Sequence, residues 1–252
     1  MTAEQATDRQ VLTVTGADRF RFLQGLISND MLPLEKAPGI VWAALLTPQG
    51  KYLADFFVIR PEGADHLLID IKATIAADTL RRLTMYRLRA DMQIAPSDSV
   101  VVRGLGTPPA GAWADPRHPA LGWRGYGLPG GPAAIDWDAI RVAHCIPETG
   151  IELTPDTYLL EAGFDRLHGV DFRKGCYVGQ EVTARMKHKT ELKKGLVTVA
   201  IDGAAPVGTP VLSGDKEAGA VFTQAGGKAI AYLRFDRMDD MVAGAARLTA
   251  LP

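Results

Sequence analysis

The last quarter of the chain changes texture, and that change constrains the fold more than any other feature. From Gly195 onward, Leu196–Ile201, Thr209–Leu212, Ala218–Thr223, Ala229–Phe235 and Ala245–Leu248 are short β-rich runs about ten residues apart. Gly203, Gly208, Gly214 and Gly226-Gly227 punctuate them. A chain cut this often into strand-length pieces has no room for helices, and the pattern predicts a small all-β barrel.

The preceding residues mix helix and strand periods. Val11–Thr15 alternates as a strand. A helix is expected next, with Phe20, Leu23, Ile27 and Met31 on one stripe, Thr15 and Asp18 as a variant capping box, and Pro33 as its stop. Ile40–Leu46 and Tyr52–Arg60 are strands joined by the turn Thr47-Pro-Gln-Gly50. His66–Ile71 continues the strands, Ala73–Leu88 reads as a helix, and Asp91–Ile94 and Ser99–Val102 follow as strands. The order predicts an α+β layer with antiparallel pairing. Gly104–Pro132 holds 8 Gly and 6 Pro in 29 residues. Trp113, Trp123 and Tyr126 interrupt it, so it is expected to be an ordered, irregular crossover rather than a linker. Asp136 then caps a helix through Cys145, which is assigned to the core. The expected division is an α+β region over 1–190, with two intertwined subdomains and the crossover near 104–133, and a barrel over 191–252.

Composition enters by what it excludes. The net charge of −1 over 252 residues is not that of a nucleic-acid binder. No apolar run approaches the roughly 20 residues of a membrane helix. Met1–Gln10 carries Glu4 and Asp8 and is expected to be neither a secretory signal nor a good transit peptide. Cys145 and Cys176 are read as reduced thiols of a cytoplasmic protein. No metal-ligand spacing is present.

The near-zero total is a cancellation. Arg173–Lys194 carries seven Lys/Arg against two Glu, and Lys72–Arg89 carries five against one Asp. These segments form either one anion-attracting surface or two unrelated solvated faces. Lys174-Gly-Cys176 stands just before a helical pattern. Val178, Val182 and Met186 form an apolar stripe there, and Glu181, Arg185 and His188 lie on a neighbouring face. A thiol near a helix start and a lysine is either reactive or a small buried hydrophobe.

Lys174-Gly-Cys-Tyr-Val-Gly-Gln-Glu181, followed by Arg185, resembles the signature of YgfZ-type folate-binding proteins of iron–sulfur cluster assembly and repair. These are kin of the glycine cleavage T-protein, an aminomethyltransferase. Phe22-Leu-Gln-Gly25 with Ser28-Asn-Asp30, Leu46–Gly50 with Asp55, Asp115-Pro-Arg117 with Leu121–Arg124, and Leu160-Glu-Ala-Gly163 extend the resemblance along the chain. It implies two α+β domains and a C-terminal barrel around a central folate channel. It also implies tetrahydrofolate or a one-carbon derivative as cofactor, and iron–sulfur assembly proteins or client enzymes as partners. The implied roles are Cys176 as a reactive thiol with Lys174 beside it, and Asn29, Glu161, Tyr177, Gly179, Gln180, Glu181 and Arg185 in folate binding. Two positions depart from the family. Leu159 stands where the T-protein has arginine before its Leu-Glu-Ala-Gly, and Thr190 where glycine is common. No complete catalytic set is legible. A folate-dependent aminomethyl or one-carbon transferase and a folate-independent scaffold remain the alternatives.

Overall fold

A computed structural model describes residues 3–189 and 191–251; Thr190 lies outside them. The chain forms two compact units. The first gathers Met1–Ile135 and Asp165–Gln180, the second Asp136–Phe164 and Glu181–Pro252.

In the first unit β1 (Ala3–Gln5) and β2 (Arg9–Thr15) lead into α1 (Arg19–Gln24) and α2 (Leu32–Lys36). The strands β3 (Gly39–Leu46), β4 (Tyr52–Arg60) and β5 (Leu67–Lys72) precede α3 (Ala73–Tyr86). They are followed by β6 (Gln93–Ser97), β7 (Val101–Gly104), β8 (Ala112–Ala114) and β9 (Trp123–Tyr126). Five strands pair in the order β3-β4-β5-β2-β6, and four in the order β1-β7-β9-β8, all antiparallel. Strand β4 reads as a continuous apolar run because both its faces are covered. Ala54, Phe56 and Val58 join the core built with Leu23, Ile27 and Leu83, while Asp55 and Phe57 alternate onto the opposite face.

Several expectations change here. The first helix stops at Gln24 instead of running through Met31. Pro33 does not terminate it but sits in the first turn of α2, where a missing N–H costs nothing. Asp18 caps no helix with its side chain; its Oδ2 accepts from the Asp91 N–H at 2.8 Å. The Gly/Pro tract is ordered, and it supplies β8, a 3-10 turn at Pro119–Leu121 and β9. Gly122 permits its tight path: at φ 61° a Cβ there would lie 2.1 Å from the Gly104 carbonyl oxygen.

The second unit contains α4 (Trp137–His144), capped by Asp136, whose Oδ1 accepts from the Ala139 N–H at 2.9 Å. Cys145 is half-buried, not in the core, and ends α4 in a left-handed conformation at φ 51°. Helix α5 (Gln180–Lys189) leads to β10 (Lys194–Asp202), β11 (Pro210–Ser213), β12 (Lys216–Ala225), β13 (Lys228–Arg234), β14 (Met241–Ala243) and β15 (Ala246–Ala250). These six strands close into a barrel, β10-β13-β12-β11-β14-β15, in which β10 pairs with both β13 and β15. Closure removes the exposed edges an open sheet would leave. Val199, Val211, Val221, Ala231 and Leu233 are among the side chains filling its interior.

Candidate functional site

The signature segment is held to the first unit by one buried cation. Helix α1 ends after six residues and leaves carbonyls without intrahelical donors. Lys174 Nζ donates to the carbonyls of Gln24 at 2.8 Å, Ile27 at 2.6 Å and Asn29 at 2.9 Å. All three ammonium hydrogens are thereby used, one on the last residue of α1 and two on the segment that follows it. Burial pulls the Lys174 ammonium down to about 8, while the carboxylates of Asp30 and Asp171 act in the opposite direction. The ammonium also lies 5.0 Å from the Tyr177 ring centroid.

The rest of the loop is fixed from both ends. Asp171 Oδ1 accepts from the N–H groups of Arg173 at 2.6 Å and Lys174 at 3.2 Å. Gln180 Oε1 accepts from the Tyr177 N–H at 3.2 Å. Gly179, at φ 83°, lies against the β3–β4 turn, where a Cβ would come 2.6 Å from the Thr47 carbonyl oxygen. Asn29 donates its amide hydrogens to the carbonyls of Trp42 at 2.8 Å and His168 at 2.7 Å. Within this frame Lys174 and Tyr177 are buried, whereas Cys176 is exposed. Cys176 stands four positions before the first helical residue, not at the helix start. Lys174, expected beside the thiol, is committed to carbonyls. Val178 precedes α5 rather than sharing a stripe on it, and packs against the first unit's core.

Glu161, Glu181 and Arg185 belong to the second unit. Glu161 is buried. Its Oε2 accepts from the Tyr232 hydroxyl at 2.5 Å, and its backbone carbonyl accepts from the Leu196 N–H at 2.7 Å. Burial and the adjacent Glu161 carboxylate push the Tyr232 phenol well above its ordinary value. Glu181 and Arg185 are exposed on α5. Leu159 is buried.

Sequence reasoning missed a buried ionic cluster in the first unit. Asp70 accepts from Arg9 Nε at 2.7 Å, from Arg124 Nη2 at 2.7 Å and from the Tyr126 hydroxyl at 3.1 Å. Asp115 accepts from Arg117 Nε at 3.0 Å and Nη2 at 2.8 Å. The guanidinium groups of Arg124, Arg117 and Arg9 stand 4.1, 4.9 and 5.6 Å from the Phe57 ring centroid. A charge inside the apolar run Leu67-Leu-Ile-Asp70-Ile71 was the available signal. Among the described residues no group of three or more His, Cys, Asp or Glu is placed to hold a metal. No helix there is long and apolar enough to cross a membrane.

Residues 193–252 match the family model of the CAF17 C-terminal β-barrel domain. An iron–sulfur cluster assembly factor IBA57 homologue, mitochondrial, of Mycosarcoma maydis is 33% identical over 222 residues, covering 76% of this chain and 55% of that protein. The mitochondrial IBA57 of Mus musculus is 30% identical over 236 residues, covering 79% of this chain and 66% of its own length. The chain thus spans between about half and two thirds of these relatives. The glycine cleavage system aminomethyltransferase T of Bartonella henselae superposes with a TM-score of 0.78 at 14% identity, covering 100% of this chain and 85% of that one. This shows a T-protein-like α+β fold. The cytoplasmic expectation is overturned, because these IBA57 relatives are named as mitochondrial. Reduced thiols and a charged first segment do not distinguish the two compartments. These relatives bear the IBA57 name rather than YgfZ, the family that the signature resembles. The chain is similar to the IBA57 iron–sulfur cluster assembly factors, and it has a T-protein-like fold whose C-terminal barrel matches the CAF17 barrel model.

Proposed function

We propose that the chain acts in iron–sulfur cluster assembly or repair as a tetrahydrofolate-binding accessory protein that presents Cys176 to a partner. The observation that carries the site is the loop geometry: Lys174 is locked inward by three carbonyls while Cys176, two residues on, is exposed. The assembly role is supported by the names of the IBA57 relatives. One cysteine does not complete a four-ligand cluster, so an assembly protein or client enzyme supplies the remaining ligands.

The donor set fits a folate in kind. Glu161 spends one carboxylate oxygen on Tyr232, and the other has no hydrogen-bond partner among the described residues. A buried carboxylate with a spare acceptor suits the N–H edge of a pterin. Tyr177 and Gln180 of the first unit and Arg185 of the second are further residues that the resemblance assigns to the ligand. When bound, the folate supplies one-carbon chemistry; the chain's own part is to bind and orient it. The transferase alternative loses support at Leu159, which is buried and apolar where the T-protein pattern has a charge.

Two measurements separate the parts of this reading. Calorimetric titration of the purified chain with tetrahydrofolate is expected to give saturable heat, and Glu161→Gln to weaken binding about tenfold, the equivalent of one lost charge-assisted hydrogen bond. Absence of binding to the parent chain removes the folate role alone. In cells depleted of the native protein, Cys176→Ser is expected to leave iron–sulfur enzyme activities unrestored while the parent chain restores them. Full restoration by the serine variant removes the thiol role.

A further inference from the structure

A cavity of about 500 Å³ lies in the first unit, formed by residues outside the signature loop. Its lining includes Trp113 of β8 and Tyr126 of β9, Leu68 of β5 and Thr13 of β2, with Glu62 and His66 from the β4–β5 connection. The volume falls within the range of small-molecule sites.

The chemistry of the lining is selective. The rings of Trp113 and Tyr126 have centroids 6.1 Å apart and planes inclined at 45°, so they meet as a corner rather than a closed stack. The Tyr126 hydroxyl is held by Asp70, and burial together with that carboxylate pushes the phenol well up, so the ring stays neutral. No lysine or arginine lines the cavity. Glu62 is exposed and makes no ion pair among the described residues. Thr13, Ser97 and Ser99 add hydroxyl oxygens. An anion would find neither a lysine nor an arginine here, and His66 as the one basic side chain of the lining. An alkylammonium would find two aromatic rings and an uncommitted carboxylate, the combination that recognises such heads.

We propose that this cavity binds a small organic cation, its alkylammonium head against Trp113 and Tyr126 and its charge met by Glu62. This site is independent of the folate reading and uses none of its residues.

The test uses the full chain and a matched pair of probes, choline and its neutral isostere 3,3-dimethylbutan-1-ol, with benzoate as the anionic control. Saturable chemical-shift changes at the Trp113 indole are expected with choline, at an affinity about tenfold above that for the isostere, the cation contribution expected for a partly desolvated aromatic site. Trp113→Leu and Glu62→Gln are each expected to weaken choline binding several-fold at an unchanged thermal midpoint, which separates loss of the site from loss of the fold. Equal affinity for choline and the isostere overturns the proposal, as does binding of benzoate in preference to choline. Absence of saturation with choline and with two further cations, tetramethylammonium and agmatine, also overturns it.

Discussion

Lys174 occupies the place where α1 has run out of donors, and that position defines its work. It is two residues from the only exposed cysteine, so the sequence suggests an electrostatic effect on the thiol. The structure assigns it to three carbonyls lying 145 to 150 positions earlier in the chain, an acceptor set invisible to local reading. Asn29 shows the same gap. It was legible as a motif residue, but its bond to the His168 carbonyl, 139 positions away, was not. Lys174→Met keeps most of the stem volume and deletes the donors. It is expected to destabilise the chain by about 2–4 kcal/mol, because desolvated carbonyls lose their partners. A denaturant midpoint equal to that of the parent would show that these bonds contribute nothing net.

Among the elements, those defined by strong periodicity were legible: β3, β4, α3, α4 and five of the six barrel strands lie close to their expected places. The misses have local causes. Strand β14 has three residues, too few for an alternation to register. The spacing predicts too long a first helix because Ile27 and Met31 keep the helical period although they lie beyond its end, both fully buried in the same core. Helix α4 is joined to the barrel by a contact that no pattern announced. Arg141 donates to Glu152 Oε2 at 3.0 Å and to Thr223 Oγ1 of β12 at 2.9 Å, and the Thr223 hydroxyl donates to Glu152 Oε1 at 2.5 Å. Thr223→Val preserves shape and removes both hydroxyl bonds, leaving a buried guanidinium and a carboxylate each one partner short. The expected cost is about 1–3 kcal/mol, a loss of several degrees in thermal midpoint for a chain of this size. Calorimetry with Thr223→Ser as the control checks it, since serine retains the hydroxyl.

For the molecule as a whole, charge is the property sequence describes best in total and worst in placement. The net −1 was legible; the inward concentration of Arg9, Arg117 and Arg124 around two aspartates was not, because β2, β5 and β9 bring together residues more than 50 positions apart. Their arrangement gives stability a dependence on acid. Burial by itself would raise the Asp70 carboxyl, but Arg124 and Arg9 outweigh it and hold the group down to about 2 from an ordinary 3.8. Asp115, beside Arg117 and Arg124, and Asp8, beside Lys72, are lowered in the same sense. A carboxyl depressed in the folded state favours folding above its unfolded value, and that contribution disappears as pH falls through the folded value. Asp70 alone therefore contributes about 2 kcal/mol at neutral pH that is lost between roughly pH 4 and 2. Urea midpoints measured across that interval are expected to fall steeply, and a flat profile would refute the coupling. Asp70→Asn is expected to flatten the acid limb while lowering stability at pH 7 by about 3–5 kcal/mol, because it removes the buried countercharge that Arg9 and Arg124 share. That combination, less stable yet less acid-sensitive, distinguishes a charge network inside the fold from carboxylates titrating on its surface.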